Sequence, residues 1–453
     1  MIDQQTPKQI FDSHLSKGFL IQTFENYIDS SAKAGADGQS TKAFNANLDN
    51  ELTTIIRKIR LGTYEFTSYR EKLISKGLGK NPRQISVPTV RDKLVLKFLS
   101  IVLSQIYPKH SALPPQSLIK NVNTTASLAN ANDVFVRLDI KEFYPSIDHK
   151  ILIQTLRGKT HAKAAINLIL KALETPTGVS RKHGALNNKG IPQGLSIANV
   201  LSSLYLEQVD ADFGAEKEYS YNRFVDDILI ICKASDADQI VTRITKHLET
   251  ARKLTVHEIG TSGKSEIVPI AKGIDYLGYN FKKNKVSVRE SSFKKMFNTL
   301  VAAFTRIKYR KGDLTRPIWS LNLKITGCIY NGRRVGWLFY FLQMDNWQQL
   351  NQLDAFVARQ TELATGIKND KRIKSFKKAY REIRFNTLES NYFPNFDNFT
   401  AEQMKAELAI LKPDRFSDEY LEALSEDDLK KQFDKAISWE IRNLEKDMFE
   451  AFS

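Results

Sequence analysis

From Ser291 the segment SSFKKMFNTLVAAFTRIKYRK places Phe293, Phe297, Leu300, Phe304 and Ile307 three or four residues apart, with Lys and Arg on the other face. That period predicts an amphipathic helix. Arg83 to Val90 (RQISVPTV) instead alternates polar and apolar, predicting a strand that meets Pro88, with a helix from about Arg91 to Ile106. VFVRLDI (Val134 to Ile140) reads as a short strand and FVDDILIIC as a second; Asp236 to Leu254 reads as an amphipathic helix. IDYLGYNF and KVSVRE form a predicted hairpin around a KKNK turn, and AKAGADGQS (Ala32 to Ser40) is a turn signal. Further along, Lys371 to Arg384 predicts a basic helix, and NYFPNFDNF (Asn391 to Phe399) a linker. Ser425 and Asp428 are spaced for a helix start. The stripe Leu429, Phe433, Ile437, Ile441, Leu444, Met448 and Phe452 follows, and it suits either docking onto the chain's own body or self-association. Helices with mostly antiparallel strands predict an α+β fold.

Charge adds a partner class. The 453 residues carry a net +16 with a pI near 9.5, which favours a polyanion, usually nucleic acid. Residues 401–453 hold 14 acidic and 8 basic residues, a net of −6, so residues 1–400 carry +22. A basic body with an acidic tail is expected. The two cysteines, Cys232 and Cys328, lie far apart, which argues against a disulfide framework and suits a reducing cytoplasm. No apolar run approaches a membrane span and MIDQQTPKQIF lacks signal-peptide regions, so neither a membrane nor export is expected.

The candidate chemistry sits in YNRFVDDILII (Tyr221 to Ile231), where Asp226 and Asp227 interrupt an apolar run. A hairpin turn would explain them, since Asp is at home in turns. A metal site would explain them too. Asp139, at the end of VFVRLD, supplies a third carboxylate, and clustered carboxylates repel unless a cation sits among them. Mg²⁺ is hard, prefers oxygen and shares coordination with phosphates; two such ions serve in-line phosphoryl transfer.

These residues carry a resemblance. In order along the chain, AGADGQS, RQISVPTVRDK, RLDIKEFYPSID, GIPQGLSIANVLSSLYLEQVD, NRFVDDILI, LTVHEIGTSGKS and YLGYNF resemble the motif series of bacterial reverse transcriptases. That group includes group II intron, retron and phage-defence enzymes. The resemblance implies a right-hand polymerase: fingers and palm over residues 1–290, a helical thumb over 291–399 and an acidic helical extension over 400–453.

It also implies roles. Asp139 and Asp226 would bind two Mg²⁺ ions (Mn²⁺ as a substitute), with Asp227 beside them and the Ile140 carbonyl assisting. Lys264 would protonate the departing pyrophosphate. Pro192, Gln193 and Gly194 would floor the template and nucleotide site, and Arg83 would meet the triphosphate, helped by Lys76 and Lys80. GKNPR is one residue longer than the family's usual spacing there. Tyr144 would exclude a ribose 2′-hydroxyl; with Phe143 and Val225 it favours deoxynucleotides over ribonucleotides. Tyr276, Leu277 and Gly278 would form the primer grip. Arg333, Arg334, Lys374, Lys377 and Lys378 would contact the backbone of the product duplex. Trp319, Trp337, Tyr340 and Phe341 are expected in the thumb core.

LSIANVLSS after Pro-Gln-Gly, and FVDD in place of Tyr-Ala-Asp-Asp, resemble the defence-associated and abortive-infection group. The expected activity is cytoplasmic RNA-directed DNA synthesis from dNTPs on a structured noncoding RNA, in antiphage defence. Untemplated or limited copying, an intron-type maturase and a non-catalytic RNA-binding scaffold stand as alternatives, and a homo-oligomer is hinted at only by the terminal stripe.

Overall fold

The computed structural model describes residues 6–28, 34–75, 81–110, 115–160, 162–178, 186–261 and 263–452, with side chains described to residue 445. Lys76 and Lys80 lie outside the described residues. The chain divides into two compact units: residues 1–114 with 134–267, and residues 115–133 with 268–453.

In the first unit, strands β1 (Arg70–Ile74) and β2 (Arg83–Val87) pair antiparallel, Arg70 opposite Val87. Helix Val90–Ile106 follows at once, capped by the Thr89 hydroxyl, which accepts from Asp92 N. The start is set by Asp92: its buried carboxylate accepts from Tyr64 Oη (2.7 Å), Thr67 N (3.1 Å) and Thr89 Oγ1 (2.8 Å). Residues Leu94, Val95, Phe98, Leu99 and Val102 then pack into one continuous core.

The central sheet runs in the order β4 (Ser220–Phe224), β5 (Asp227–Lys233), β3 (Asp133–Asp139) and β6 (Glu266–Pro269), with the unit boundary falling inside β6. One expectation is corrected here. FVDDILIIC is not a single strand: Phe224 pairs with Asp227, so Val225 and Asp226 form a two-residue turn between antiparallel strands. The hairpin turn that would explain the aspartate pair is present, one residue earlier than the pair itself, and apolar residues flank it on both sides because both strands are buried. Val225 takes φ +58°, at the first central position where such hairpin turns favour glycine. A β-branched residue there is strained by roughly 1–3 kcal/mol.

The second unit contains helix Pro115–Leu128, a three-stranded antiparallel sheet β7 (Ile274–Tyr276), β8 (Tyr279–Lys282) and β9 (Lys285–Val288), and then helices with one hairpin, β10 (Cys328–Tyr330) and β11 (Arg333–Val335). The helix predicted from Ser291 spans Glu290–Tyr309 and buries Met296, Leu300, Phe304 and Ile307. Trp337, Tyr340 and Phe341 are buried as expected; Trp319 is half-buried. The expected linker is packed instead. Phe393 and Phe396 are buried, and the Asp397 carboxylate accepts from Asn331 N (2.6 Å) and Gly332 N (2.8 Å).

The terminal stripe is resolved as well. In helix Glu426–Phe452, Leu429, Phe433, Ile437, Ile441 and Leu444 are buried against Cys328, Tyr330, Phe396 and Leu408 of the same unit. Those five positions are therefore not available for self-association, and the oligomer hint that rested on them falls. Met448 and Phe452 lie outside the described side chains.

Burial also loads Glu407, on helix Ala401–Leu411. Desolvation pushes its carboxyl up to about 7, partly offset by a hydrogen bond from Trp319 and by the charge of Lys374. A carboxyl raised on folding keeps its proton while the unfolded chain ionises, so stability falls as pH rises from about 4.5 to 7. Glu407→Gln is expected to flatten that fall by roughly 3 kcal/mol at most, at 1.36 kcal/mol per pKa unit. Chemical denaturation of both proteins at pH 5 and pH 8 checks it: the two should match at the lower pH and diverge at the higher one.

Candidate active site

The carboxylates sit where β3 ends and the β4–β5 turn begins. Ile140 N donates to Asp226 O (3.1 Å), tying the end of one strand to the turn of the other. The turn is held further by Arg223, whose guanidinium donates to Val225 O (2.8 Å) and pairs with Asp210. The strained Val225 conformation is thus over-determined by its surroundings, which is how such strain persists.

Asp139 and Asp226 are close enough to feel each other. Burial, and then the charge of Asp139, raise the Asp226 carboxyl above the usual carboxylate range; Lys264 and Arg83 pull it back. Asp139 is buried, and Lys264 Nζ donates to both of its carboxylate oxygens at 3.0 Å. His257 Nε2 lies 3.4 Å from Asp139 Oδ2, and Asp139 N donates to Ser265 Oγ (3.2 Å). The loop carrying His257 and Lys264 is pinned beside Asp139 by main-chain bonds from His257 N to Asp139 O (2.9 Å) and from Lys141 N to Thr255 O (2.7 Å).

Asp227 faces elsewhere. Arg137 Nε donates to its Oδ1 (2.9 Å) and Nη2 to its Oδ2 (2.7 Å), a two-pronged pair across neighbouring strands. Burial still lifts the Asp227 carboxyl to about 6, with Arg137 opposing. Arg137 lies two residues before Asp139, on the same face of β3. Sequence reasoning missed it, although that i, i+2 spacing was the available signal; His257, beside Asp139, is not nominated by the motif series either.

Asp139 and Asp226 offer hard oxygen donors, and the Asp226 carboxyl, raised by burial and by the charge of Asp139, fits a divalent cation once Lys264 gives up its hold on Asp139. The oxygens of Asp227 are already engaged by Arg137. Among the described residues no three His, Cys, Asp or Glu converge as a metal cluster, so the fit rests on the Asp139–Asp226 pair.

Of the remaining predicted residues of the first unit, Arg83 and Tyr144 lie within electrostatic reach of Asp226. Arg83 is exposed on β2 and its charge acts on both Asp226 and Tyr144. Tyr144 is half-buried and its hydroxyl donates to Asn199 Oδ1 (2.9 Å). The Pro192-Gln193-Gly194 loop lies against β2: Ser86 N donates to Gln193 O (2.7 Å). Gly194, at φ +103°, would bring a Cβ within 2.9 Å of Ile85 Cγ2 and 3.0 Å of Ser86 O, so only glycine fits.

In the second unit, Tyr276, Leu277 and Gly278 form the β7–β8 turn, with φ +49° at Leu277 and +80° at Gly278. Tyr276 is buried, and Tyr340 Oη donates to Leu277 O (2.9 Å). The basic candidates divide. Lys374 Nζ is turned inward to Tyr392 O (2.7 Å) and serves the fold, whereas Arg333 stays exposed while pairing with Glu445 (2.8 Å). Arg334, Lys377 and Lys378 are exposed.

Residues 74–281 match the family model described as reverse transcriptase (RNA-dependent DNA polymerase). The group II intron-encoded protein LtrA of Lactococcus lactis subsp. cremoris is 29% identical over 175 residues, 36% of this chain and 28% of that protein. The retron Ec83 reverse transcriptase of Escherichia coli is 28% identical over 148 residues, 32% of this chain and 47% of that enzyme. A 91 kDa protein of the Schizosaccharomyces pombe cob intron is 27% identical over 215 residues, 45% of this chain and 26% of that protein. The chain thus spans about a quarter of the length of the first two intron proteins it matches. A Candida albicans telomerase structure overlays 85% of this chain and 71% of its own at 13% identity and a TM-score of 0.43, a likeness that carries no argument. The motif order, the paired carboxylates at the β4–β5 hairpin and the family match converge on one stretch: residues 74–281 match a reverse transcriptase domain.

Proposed function

We propose that the chain is an RNA-directed DNA polymerase that extends a primer 3′ end with deoxynucleotides. The observation that carries the reading is the Asp139–Asp226 pair, held at a strand end by the Ile140–Asp226 main-chain bond with positive charge on Asp139. Divalent ions, Mg²⁺ in the first instance, would be held by these two carboxylates; when bound they would lower the charge barrier to attack of the primer 3′-oxygen on the α-phosphorus. Arg83 would meet the triphosphate. Tyr144, braced by Asn199, would lie against the sugar 2′ position. As the P–O bond to pyrophosphate breaks, the leaving oxygen takes up charge and then a proton. Lys264 is the candidate donor, and serving there requires its ammonium to move off Asp139.

The RNA template, a structured noncoding RNA, and the setting, cytoplasmic antiphage defence, are the finer parts of the proposal. LSIANVLSS and FVDD support the defence setting, and the net +16 supports a nucleic-acid partner. Among the described residues no helix is long and apolar enough to cross a membrane. The intron-encoded relatives favour a second reading, a maturase that promotes splicing of its own intron RNA.

The test is to express the chain with its native flanking locus and sequence the copurifying nucleic acid, beside an Asp226→Asn variant, which leaves the Arg137–Asp227 pair intact. DNA complementary to one abundant small RNA, present only with Asp226 intact, is the expected result. Simple-repeat DNA would point to untemplated copying. The same RNA and no DNA in both samples would overturn the polymerase reading.

A further inference from the structure

Helix Phe376–Phe385 reads FKKAYREIRF. At 100° per residue, Lys377, Lys378, Arg381, Arg384 and Phe385 fall within an arc of about 120°. All five are exposed, while Phe376, Ala379, Tyr380 and Ile383 on the opposite side are buried. The helix carries a single acidic residue, Glu382, whose carboxylate accepts from Asn386 Nδ2 (3.1 Å).

A cationic face is by itself an ordinary solvated surface. This one also exposes apolar groups: Phe385 is 74% exposed, Leu388 just beyond it 91%, and the neighbouring Trp347 41%. The cations and rings are interleaved. The Arg384 guanidinium sits 5.6 Å from the Phe385 centroid, that of Arg381 5.7 Å from Trp347, and Lys378 Nζ 4.7 Å from Tyr392. A solvated helix has no need of exposed rings, whereas charges spaced among stacking surfaces match what an unpaired strand presents: phosphates along one edge and bases with free π-faces. A duplex hides those faces.

We infer that this face binds single-stranded nucleic acid, with phosphates on Lys377, Lys378, Arg381 and Arg384 and unstacked bases on Phe385 and Trp347. The binding is sequence-tolerant, because every base has a π-face, and it distinguishes strand from duplex. It adds to the duplex contacts expected of a polymerase a place for template that has not been copied or product that has been released. It needs neither nucleotide nor metal, so its outcome is separate from that of DNA synthesis.

The test is fluorescence anisotropy on the full chain with labelled oligouridine and oligothymidine, in excess unlabelled blunt duplex to fill duplex-binding surfaces. Labelled duplex is measured separately. Phe385→Ala, an exposed change that leaves the core intact, is expected to weaken strand binding about fivefold or more and leave duplex binding unchanged; Phe385→Trp restores it. Arg381→Gln with Arg384→Gln should shallow the slope of log affinity against log salt by about 1.4, at about 0.7 per phosphate contact on single strands. A loss shared by both oligomers supports the inference as stated; one confined to oligouridine supports it and names RNA as the strand. Unchanged strand binding in Phe385→Ala, or equal loss on duplex, overturns it. So does a Phe385-dependent affinity for phosphatidylserine vesicles without one for oligonucleotides.

Discussion

Asp226→Asn is expected to lower DNA synthesis by about a thousandfold, ~4 kcal/mol of barrier at 1.36 kcal/mol per decade, while making the metal-free protein more resistant to unfolding at neutral pH. The two effects share one origin. The Asp226 carboxyl is raised by burial and by the charge of Asp139, so ionising it at pH 7 works against the fold unless a cation is present. A carboxyl raised on folding contributes stability below its unfolded value and loses that contribution as pH rises through its folded one. Asparagine keeps the shape and removes the repulsion. Primer extension on an RNA template, paired with thermal melts with and without Mg²⁺, checks both halves. Added Mg²⁺ should raise the melting temperature of the parent chain and do little for the variant. A variant that loses activity but gains no stability would mean that Asp226 is not under the strain inferred for it.

Arg137→Ala is expected to cost roughly 3–5 kcal/mol of folding stability, the usual result of leaving one partner of a buried ion pair alone. Arg137 and Asp227 are each nearly buried and joined by two hydrogen bonds of 2.9 and 2.7 Å, so the survivor has little water to turn to. The cost depends on pH with a definite sign. Burial lifts the Asp227 carboxyl to about 6 even with Arg137 beside it; without Arg137 it is pushed higher, so the deficit is largest above pH 6 and shrinks as pH falls below that value. Asp227→Asn in the same chain should recover much of the loss. A double-mutant cycle by urea denaturation at pH 8 measures the coupling. A cost near zero for Arg137→Ala would mean that the pair does not fix the hairpin, and Asp227 would return as a candidate metal ligand.

Much of the fold was legible because periodicity and caps agree locally. The helix beginning after Thr89 and the helix from Glu290 both follow from the spacing of their buried side chains. The β4–β5 reversal was half legible: Asp at a turn was one of two readings of the pair and is borne out, but the apolar flanks hid where the turn falls, at Val225 and Asp226, with a valine in a glycine-like conformation. For the site, motif order was enough to nominate Asp139, Asp226, Lys264 and Arg83, which lie near one another. It could not reveal which way each carboxylate points. Asp226 and Asp227 are adjacent in sequence, yet one faces Asp139 and the other Arg137, a difference made by side-chain pairing across 90 residues. Lys374 marks the same limit elsewhere: composition counts a charge but does not say whether it meets water or a carbonyl.

The chain passes from one unit to the other three times, after residues 114, 133 and 267. Neither unit is therefore a continuous piece of polypeptide, and no single cut can release the catalytic one intact. A product ending at Ile267 would keep helix Pro115–Leu128 but lose β8, against which that helix packs, leaving Ile119, Val122 and Ala126 uncovered. On the ribosome the same order holds the helix waiting for partners synthesised some 150 residues later. Truncation is thus a poor way to simplify this protein, and point substitution is the better instrument for separating its parts.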